Sequence, residues 1–504
     1  MDNVNKDYDV IIIGTGLAGL TAGALLAEAG ANVLMLEQHY VVGGCASSFR
    51  RNQFLFDAAI HLVGGCEKGG ELHLIYEKLG LSDKIEFMEV DPMYRVQVAN
   101  DHYDIPANAD LLADRMQRWF PEDRQSIRTI LAEIKQIGDI LLKGDFNVDS
   151  KTLMRLMEIE KMSFAQYLHG KFKHPHTSKI LCSLIGYAGV PASQVSALYM
   201  MSLIMSYRGG AFYPRGSSQQ MADVLKAYII SKGGEIKVKR RVESIIHNGQ
   251  EAQGVIDHKG NKYYAPITIS NADMMKTYRE MLGEAYLPDS YQKRLRELTP
   301  SKSAVVLYGA VRDSDPHNKD FMHELFMIPD GDMNDENYFF YDPLKEKYEP
   351  WISVCCPSVA ESTLAPEGYS VVTFMSMCDA DHIEKIREEK GKTFLQEHYV
   401  DLLERKLPGI KNKLVLQEFA TPRTIERYTL NSKGAIYGWM KSFNQPWMND
   451  MGPETPMKGL YLAGHWTRNV HGAYGVMRSG RQTAEHILSK HAYPTVNYSI
   501  EAIQ

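Results

Sequence analysis

The hydrophobic pattern changes period twice within the first forty positions. Residues 9–13 run Val-Ile-Ile-Ile after a polar start, the signature of a short strand buried on both faces. Gly14-Thr-Gly-Leu-Ala-Gly19 follows, then an Ala/Leu-rich stretch that predicts a helix to about Ala29, with Gly30 placed to end it. Residues 32–36 form a second apolar run closed by Glu37. The spacing predicts a strand–turn–helix–strand unit long enough for a parallel crossover.

From 71 to 208 the pattern reads as helical. Ile127, Ile130, Leu131, Ile134, Ile137 and Leu141 recur at helical spacing behind Pro121, and 195–205 is a second apolar stretch dense in Met and Leu. Strand patterns return at 235–238, 242–246, 254–257 and 263–269. Further strands are expected at 303–311, 324–328, 338–341, 351–355 and 370–375, as a mostly antiparallel sheet. A charged amphipathic helix over 381–407 is stopped by Pro408. Residues 459–463 predict a short strand entering a Gly-rich turn, and 480–488 a helix. That late strand reads as the last strand of the sheet begun at the N-terminus. The expected division is a discontinuous nucleotide domain (1–66, 211–280 and 455–490), an inserted substrate domain (67–210 and 281–454) and a tail (491–504).

Composition narrows the picture. With 504 residues, 44% hydrophobic and 23% charged, the chain is an ordinary folded protein of two or three domains. A net charge of −6 gives no field for nucleic acid. The six cysteines have no C-x-x-C spacing, which argues against a zinc site and a secreted disulfide framework. The uncharged run 10–27 follows an acidic segment, so it does not read as a signal peptide, and its four glycines fit a packed helix better than a membrane span. No transmembrane segment is expected. The expected location is cytoplasmic, with peripheral membrane contact left open.

Gly14-x-Gly16-x-x-Gly19 supplies a tight turn, a close approach of backbone to a pyrophosphate, and close helix–strand packing. The pyrophosphate would sit on the helix N-terminus, over Leu17 and Ala18. Glu37, 18 residues past Gly19, can accept both hydroxyls of an adenosine ribose, which disfavours NADP. The competing reading is a glycine-rich turn that only packs a helix. Gly43-Gly44, followed by Ser47 and Ser48, favours FAD over NAD, because a second glycine pair after the acid is a feature of glutathione-reductase-like flavoproteins of the second family. No second glycine fingerprint for NAD(P)H is present. The fold class expected is therefore α/β, a Rossmann-type FAD-binding domain with an inserted α+β substrate domain.

Three blocks carry a family resemblance: residues 9–49 extended through Asp57 and His61 to Gly65; Tyr213-Pro-Arg-Gly216 to Ile229 with Val242-Glu-Ser-Ile-Ile and Ser270-Asn271-Ala272-Asp273; and Gly459-Leu-Tyr-Leu-Ala-Gly464-His465-Trp-Thr to Gly475-Val476-Met-Arg-Ser479-Gly480-Arg481. The chain resembles the phytoene desaturase, carotenoid isomerase and retinol saturase family of FAD enzymes. The Asp57–His61 variant is nearest the retinol-saturase-like branch. The substrate half matches loosely, and His465 stands where many relatives have an acid.

The resemblance implies a hydrophobic polyene whose C=C bonds are desaturated, saturated or isomerised beside the flavin. It also implies cofactor contacts at Gln38, Val242, Gly464, His465, Gly475 and Val476, besides those above. An apolar tunnel would bind such a chain at about 0.8 kcal/mol per buried methylene. The methionines of 195–205 suit a tunnel wall or an ordinary core. His61, His471, Tyr474 and Arg478 fall in segments expected near the flavin ring. His61 is a candidate proton donor or acceptor, or a structural histidine; Arg478 would steady reduced-flavin charge or anchor a helix end. His174-Pro-His176 offers too few ligands for a metal and reads as a loop. Two other functions fit the same fold: a flavin amine oxidase, and a lipid- or prenyl-binding escort that lacks FAD. The intact glycines speak against the escort.

Overall fold

The structure is a computed structural model. It describes residues 7–491 apart from 316, 318, 330, 333, 346–348, 446–451 and 468–470. The tail expected beyond 491 lies outside the described residues.

A five-stranded parallel sheet runs in the order Leu460–Leu462, Ile267–Ser270, Val10–Ile13, Val33–Leu36, Glu235–Lys237. The first strand is central, with Val10 opposite both Ile267 and Val33. It is apolar at every position because both faces are covered. Ile12 faces the helix Leu17–Glu28, where Gly23 lets Ile12, Met35 and Ile229 close in. Ile11 and Ile13 pack instead with Val242, Ile245 and Val255 of a three-stranded meander, Val242–His247, Ala252–Asp257 and Lys262–Tyr264. The long helix Gly472–Lys490 lies against Leu17–Glu28. A Cβ on Gly480 would stand 2.2 Å from Ala18 O, so glycine sets that close approach. The two ends of the chain thus share one sheet and one helix layer.

A seven-stranded mixed sheet forms the second half: Leu414–Ala420, Ser303–Arg312, Tyr369–Cys378, Ile352–Cys355, Glu324–Ile328, Tyr94–Val98, Asp101–Ile105. The pair Ser303–Arg312 and Tyr369–Cys378 is antiparallel along its whole length. One face packs on the helix Ala380–Lys406, through Ile383, Leu395, Tyr399 and Leu403.

Several expectations need correction. The region 71–208 is not wholly helical: the hairpin Tyr94–Val98/Asp101–Ile105 joins the large sheet, and Tyr94, Val96 and Val98 alternate buried with Arg95 and Gln97 half-buried. The stretch 263–269 divides at Pro266, which has no N–H for a ladder, and its halves enter different sheets. Residues 338–341 are no strand; a 3-10 turn covers Glu336–Tyr338. The helix expected over 381–407 departs from helical geometry at Gly391, with φ 88°. The C-terminal helix begins at Gly472, a full two turns before 480. His174 is not in a loop but caps the helix Pro175–Leu181, its Nδ1 accepting from His176 N–H at 3.1 Å. The helix Ala197–Met205 is core, its Met205 packed onto Gly138 of the helix Arg124–Lys143.

Candidate functional site

The site begins where the first strand ends. Gly14 has φ 89°, and the turn delivers Gly16 as the N-cap of Leu17–Glu28, with no side-chain cap and no acidic residue in the first turn. The first N–H groups of that helix therefore stand free for an anion. Gly43 folds back onto this turn: its N–H donates to Thr15 O at 2.9 Å, and a Cβ on Gly44 would lie 3.1 Å from Gly16 Cα. From the middle and the far end of the chain, Asn271 and Gly464 close the ring. With its amide turned to satisfy both neighbours, Asn271 accepts from Gly16 N–H and donates to Ala463 O, each at 3.2 Å. A Cβ on Gly464 would come within 2.6 Å of the Asn271 side-chain amide, and one on Gly19 within 2.5 Å of Gly14 O. Backbone from three distant segments thus surrounds one helix N-terminus, and glycine keeps the space clear.

Glu37 lies at the end of the second strand, 7% exposed. Its Oε2 accepts from Thr15 N–H (2.8 Å) and Thr15 Oγ1 (2.6 Å), and Oε1 from His39 N–H (2.8 Å). These bonds fix its orientation and leave lone pairs for diol hydroxyls. Val242 is buried in the same corner, next to Arg240, whose N–H donates to Glu37 O at 2.7 Å. Gln38 reaches outward, Nε2 donating to Tyr428 O. Ser47 N–H donates to Gly44 O, closing the second glycine turn. The Ser48 hydroxyl donates to Asp57 Oδ1 at 2.6 Å, and Asp57 also accepts from Ser218 and Tyr213, a buried knot between two of the sequence blocks. Such a cradle fits a dinucleotide: a helix N-terminus without a side-chain cap for phosphate, and a carboxylate for ribose.

Beyond Gly464 the character changes. Gly464 N–H donates to Ser479 Oγ at 2.9 Å, pinning the turn to the helix that carries Gly475 and Val476. His471 caps that helix without a side-chain bond to it, so the first N–H groups, through Gly475, receive no side-chain cap. The His471 ring instead stacks on Tyr437, 4.0 Å away at 12°. Tyr199 OH lies 2.9 Å from its Nδ1, and Nε2–H donates to Tyr187 O. Burial, with Lys441 and His465 adding, holds its pKa well below the ordinary value, so His471 is neutral. Burial and then Lys441 pull His465 down to about 4.

His61 lies outside the strands and packs against the large sheet, its Nδ1 3.2 Å from Glu324 Oε2 and its ring edge-on to Tyr187, whose carbonyl also accepts from His471. Tyr474 packs on Gly65, where a Cβ would be 2.7 Å from its ring. Arg478 lies against Gly144, at the end of the helix Arg124–Lys143, the position of a helix-end anchor. The residues that sequence reasoning missed are Thr15, Asn271, Tyr187, Tyr199, Tyr437 and Glu324. Asn271 had a signal, a polar residue directly after a buried strand; the others have none, since they meet only through the fold.

The family model for flavin containing amine oxidoreductases matches residues 17–488. The chain is 28% identical over 528 residues to the chloroplastic prolycopene isomerase of Daucus carota, covering 96% of this chain and 80% of that one. It is 26% identical over 509 residues to the all-trans-retinol 13,14-reductase of Danio rerio, covering 92% and 83%. A solved oxidoreductase from Methanosarcina mazei has the same fold at TM-score 0.66 and 19% identity, covering 95% and 100%. No helix among the described residues is long and apolar enough to cross a membrane. The chain belongs to the flavin containing amine oxidoreductase family.

Proposed function

We propose that the protein is an FAD-dependent oxidoreductase that saturates, desaturates or isomerises C=C bonds of a lipophilic polyene such as a carotenoid or retinoid. The observation that carries the reading is the intact glycine cradle with Glu37, set beside a buried cluster of histidine and tyrosine rings. Two relatives that span nearly the whole chain are named for conversions of prolycopene and all-trans-retinol, both conjugated polyenes. FAD, when bound, supplies the hydride and electron chemistry, and the protein supplies orientation and a dry site.

In this reading Gly14, Gly16, Leu17, Ala18 and Gly19 hold the pyrophosphate, with Gly43, Gly44, Ser47 and Ser48 against it. Glu37 takes the ribose hydroxyls, and Gln38 and Val242 flank the adenosine. Gly464, His465, Gly475 and Val476 border the flavin. Of the four residues assigned to the substrate side, His61 alone has a ring nitrogen free for proton exchange. Neutral His471 orients the aromatic wall, Tyr474 shapes the segment that carries His61, and Arg478 steadies the helix end. A lipophilic substrate is delivered from a lipid surface, so peripheral membrane contact forms part of the reading.

The test is anaerobic incubation of oxidised and photoreduced protein with carotenoids, retinoids and shorter polyenes, with product masses read by chromatography. A yellow protein and a change of two hydrogens, or altered retention at constant mass, supports the reading. Peroxide release from simple amines selects an amine oxidase instead, and a colourless protein that binds lipid without FAD selects an escort.

A further inference from the structure

Glu324 begins the strand Glu324–Ile328 and is 1% exposed. Taking a carboxylate out of water costs several kcal/mol unless it is paired or protonated. Its nearest basic group is the His61 ring, and both are fixed by neighbours. Ser353 Oγ donates to Glu324 Oε1 at 2.6 Å from the neighbouring strand and stands 3.4 Å from His61 Nδ1. His323 Nε2–H donates to His61 O at 2.8 Å, which fixes the segment that carries the ring. Cys355, directly opposite Glu324 in the sheet, brings its sulfur into the same group, all three donor atoms lying within 4.8 Å of one another. His61 Nδ1 stands 3.2 Å from Glu324 Oε2, a buried oxygen, and neither that oxygen nor His61 Nε2 has a hydrogen-bond partner among the described residues.

The groups around the pair do not compete for its proton. Burial, then Glu324, pushes the Cys355 thiol pKa well above its usual value, and burial does the same to the Tyr187 and Tyr207 phenols. Burial pulls His323 below the usual imidazole value, so it is neutral. Asp57, beyond His323, is occupied by Ser48, Ser218 and Tyr213.

We propose that Glu324 and His61 form a proton-transfer dyad: Glu324 holds His61 by Nδ1 and offsets its charge, and His61 exchanges a proton with a substrate carbon through Nε2. This rests on the polyene reading above. In saturation, one carbon of the double bond takes a hydride from the reduced flavin. The other forms its new C–H bond from the π electrons and the Nε2 proton, leaving His61 neutral and Glu324 ionised. Solvent then returns one proton to the dyad. In isomerisation the same proton is added to a carbon, and one is removed after rotation, with no net redox change. Glu324 is a positioning residue; His61 is the catalytic one.

The experiment compares wild type, E324Q, S353A and H61Q as FAD-loaded proteins. Histidine-selective ¹⁵N labelling should give a far-downfield imidazole N–H resonance in wild type that is absent in E324Q and H61Q, a readout that needs no substrate. With photoreduced protein and a polyene in D₂O, wild type should place solvent deuterium on the product. E324Q should keep its flavin absorbance, turn over about 10- to 100-fold more slowly and place less solvent deuterium on the product. S353A should fall between wild type and E324Q. Full-rate E324Q with unchanged deuterium incorporation, or an unchanged proton resonance, overturns the dyad. So does stoichiometric divalent metal in the purified protein that C355S removes, since the cluster would then be a metal site. Flavin-loaded wild type that leaves every polyene unchanged refutes the polyene reading, while the resonance still decides whether the dyad exists.

Discussion

The nucleotide cradle and the substrate-side cleft are built from different materials. In the cradle the working atoms are backbone N–H groups, arranged by glycines whose missing Cβ atoms define the space, and the carboxylate of Glu37 is held by Thr15 and His39. In the cleft the working atoms are side chains: His471 between Tyr437 and Tyr199, and His61 on Glu324. A backbone site tolerates little variation because any side chain obstructs it. A side-chain site can be rebuilt while the fold persists, which is how one fold serves several reactions.

That contrast can be broken from the cradle side first. Gly19→Val should have the largest effect: its Cβ would meet Gly14 O at 2.5 Å, so the turn and helix must separate. The expected result is a colourless protein with a strongly lowered unfolding temperature, read by flavin absorbance and calorimetry. Glu37→Ala should fold, yet lose the carboxylate that aligns Thr15 and His39 as well as the ribose contact. At about 1.5–3 kcal/mol per charge-assisted bond, FAD affinity should fall at least tenfold by titration.

The cleft side is sharpened by pH. His323, His465 and His471 are all held below their ordinary pKa by burial, His465 down to about 4. The unfolded chain protonates these rings near pH 6.5 while the folded protein does not, so stability is constant above that value and declines as pH falls below it. The expected slope approaches about 1.4 kcal/mol per pH unit for each histidine, read from urea midpoints between pH 8 and 5. His471→Gln should make that slope shallower, the smallest of these effects.

Much of the cradle was legible because its chemistry is local. A buried strand, Gly14, Gly16 and Gly19, a helix and a terminal acid lie within thirty residues, and glycine spacing encodes backbone shape directly. The return of residues 459–463 to the same sheet was readable from one apolar run before a glycine turn, and Leu460–Leu462 does pair with Ile267–Ser270. The hairpin at 94–105 was hidden because its alternating pattern is short and lies among longer helical signals.

The amino-acid sequence by itself determined the dinucleotide fingerprint, the parallel sheet and the fold class, because those depend on period, glycine and short-range order. Only the tertiary structure decided which histidine has a buried carboxylate behind it, since sheet pairing brings residues 324 and 353 together and chain folding docks residue 61 against them, across nearly three hundred positions. Local sequence records which backbone shapes are allowed. It does not record which distant side chains will share a desolvated space, and that sharing sets their charge and their chemistry.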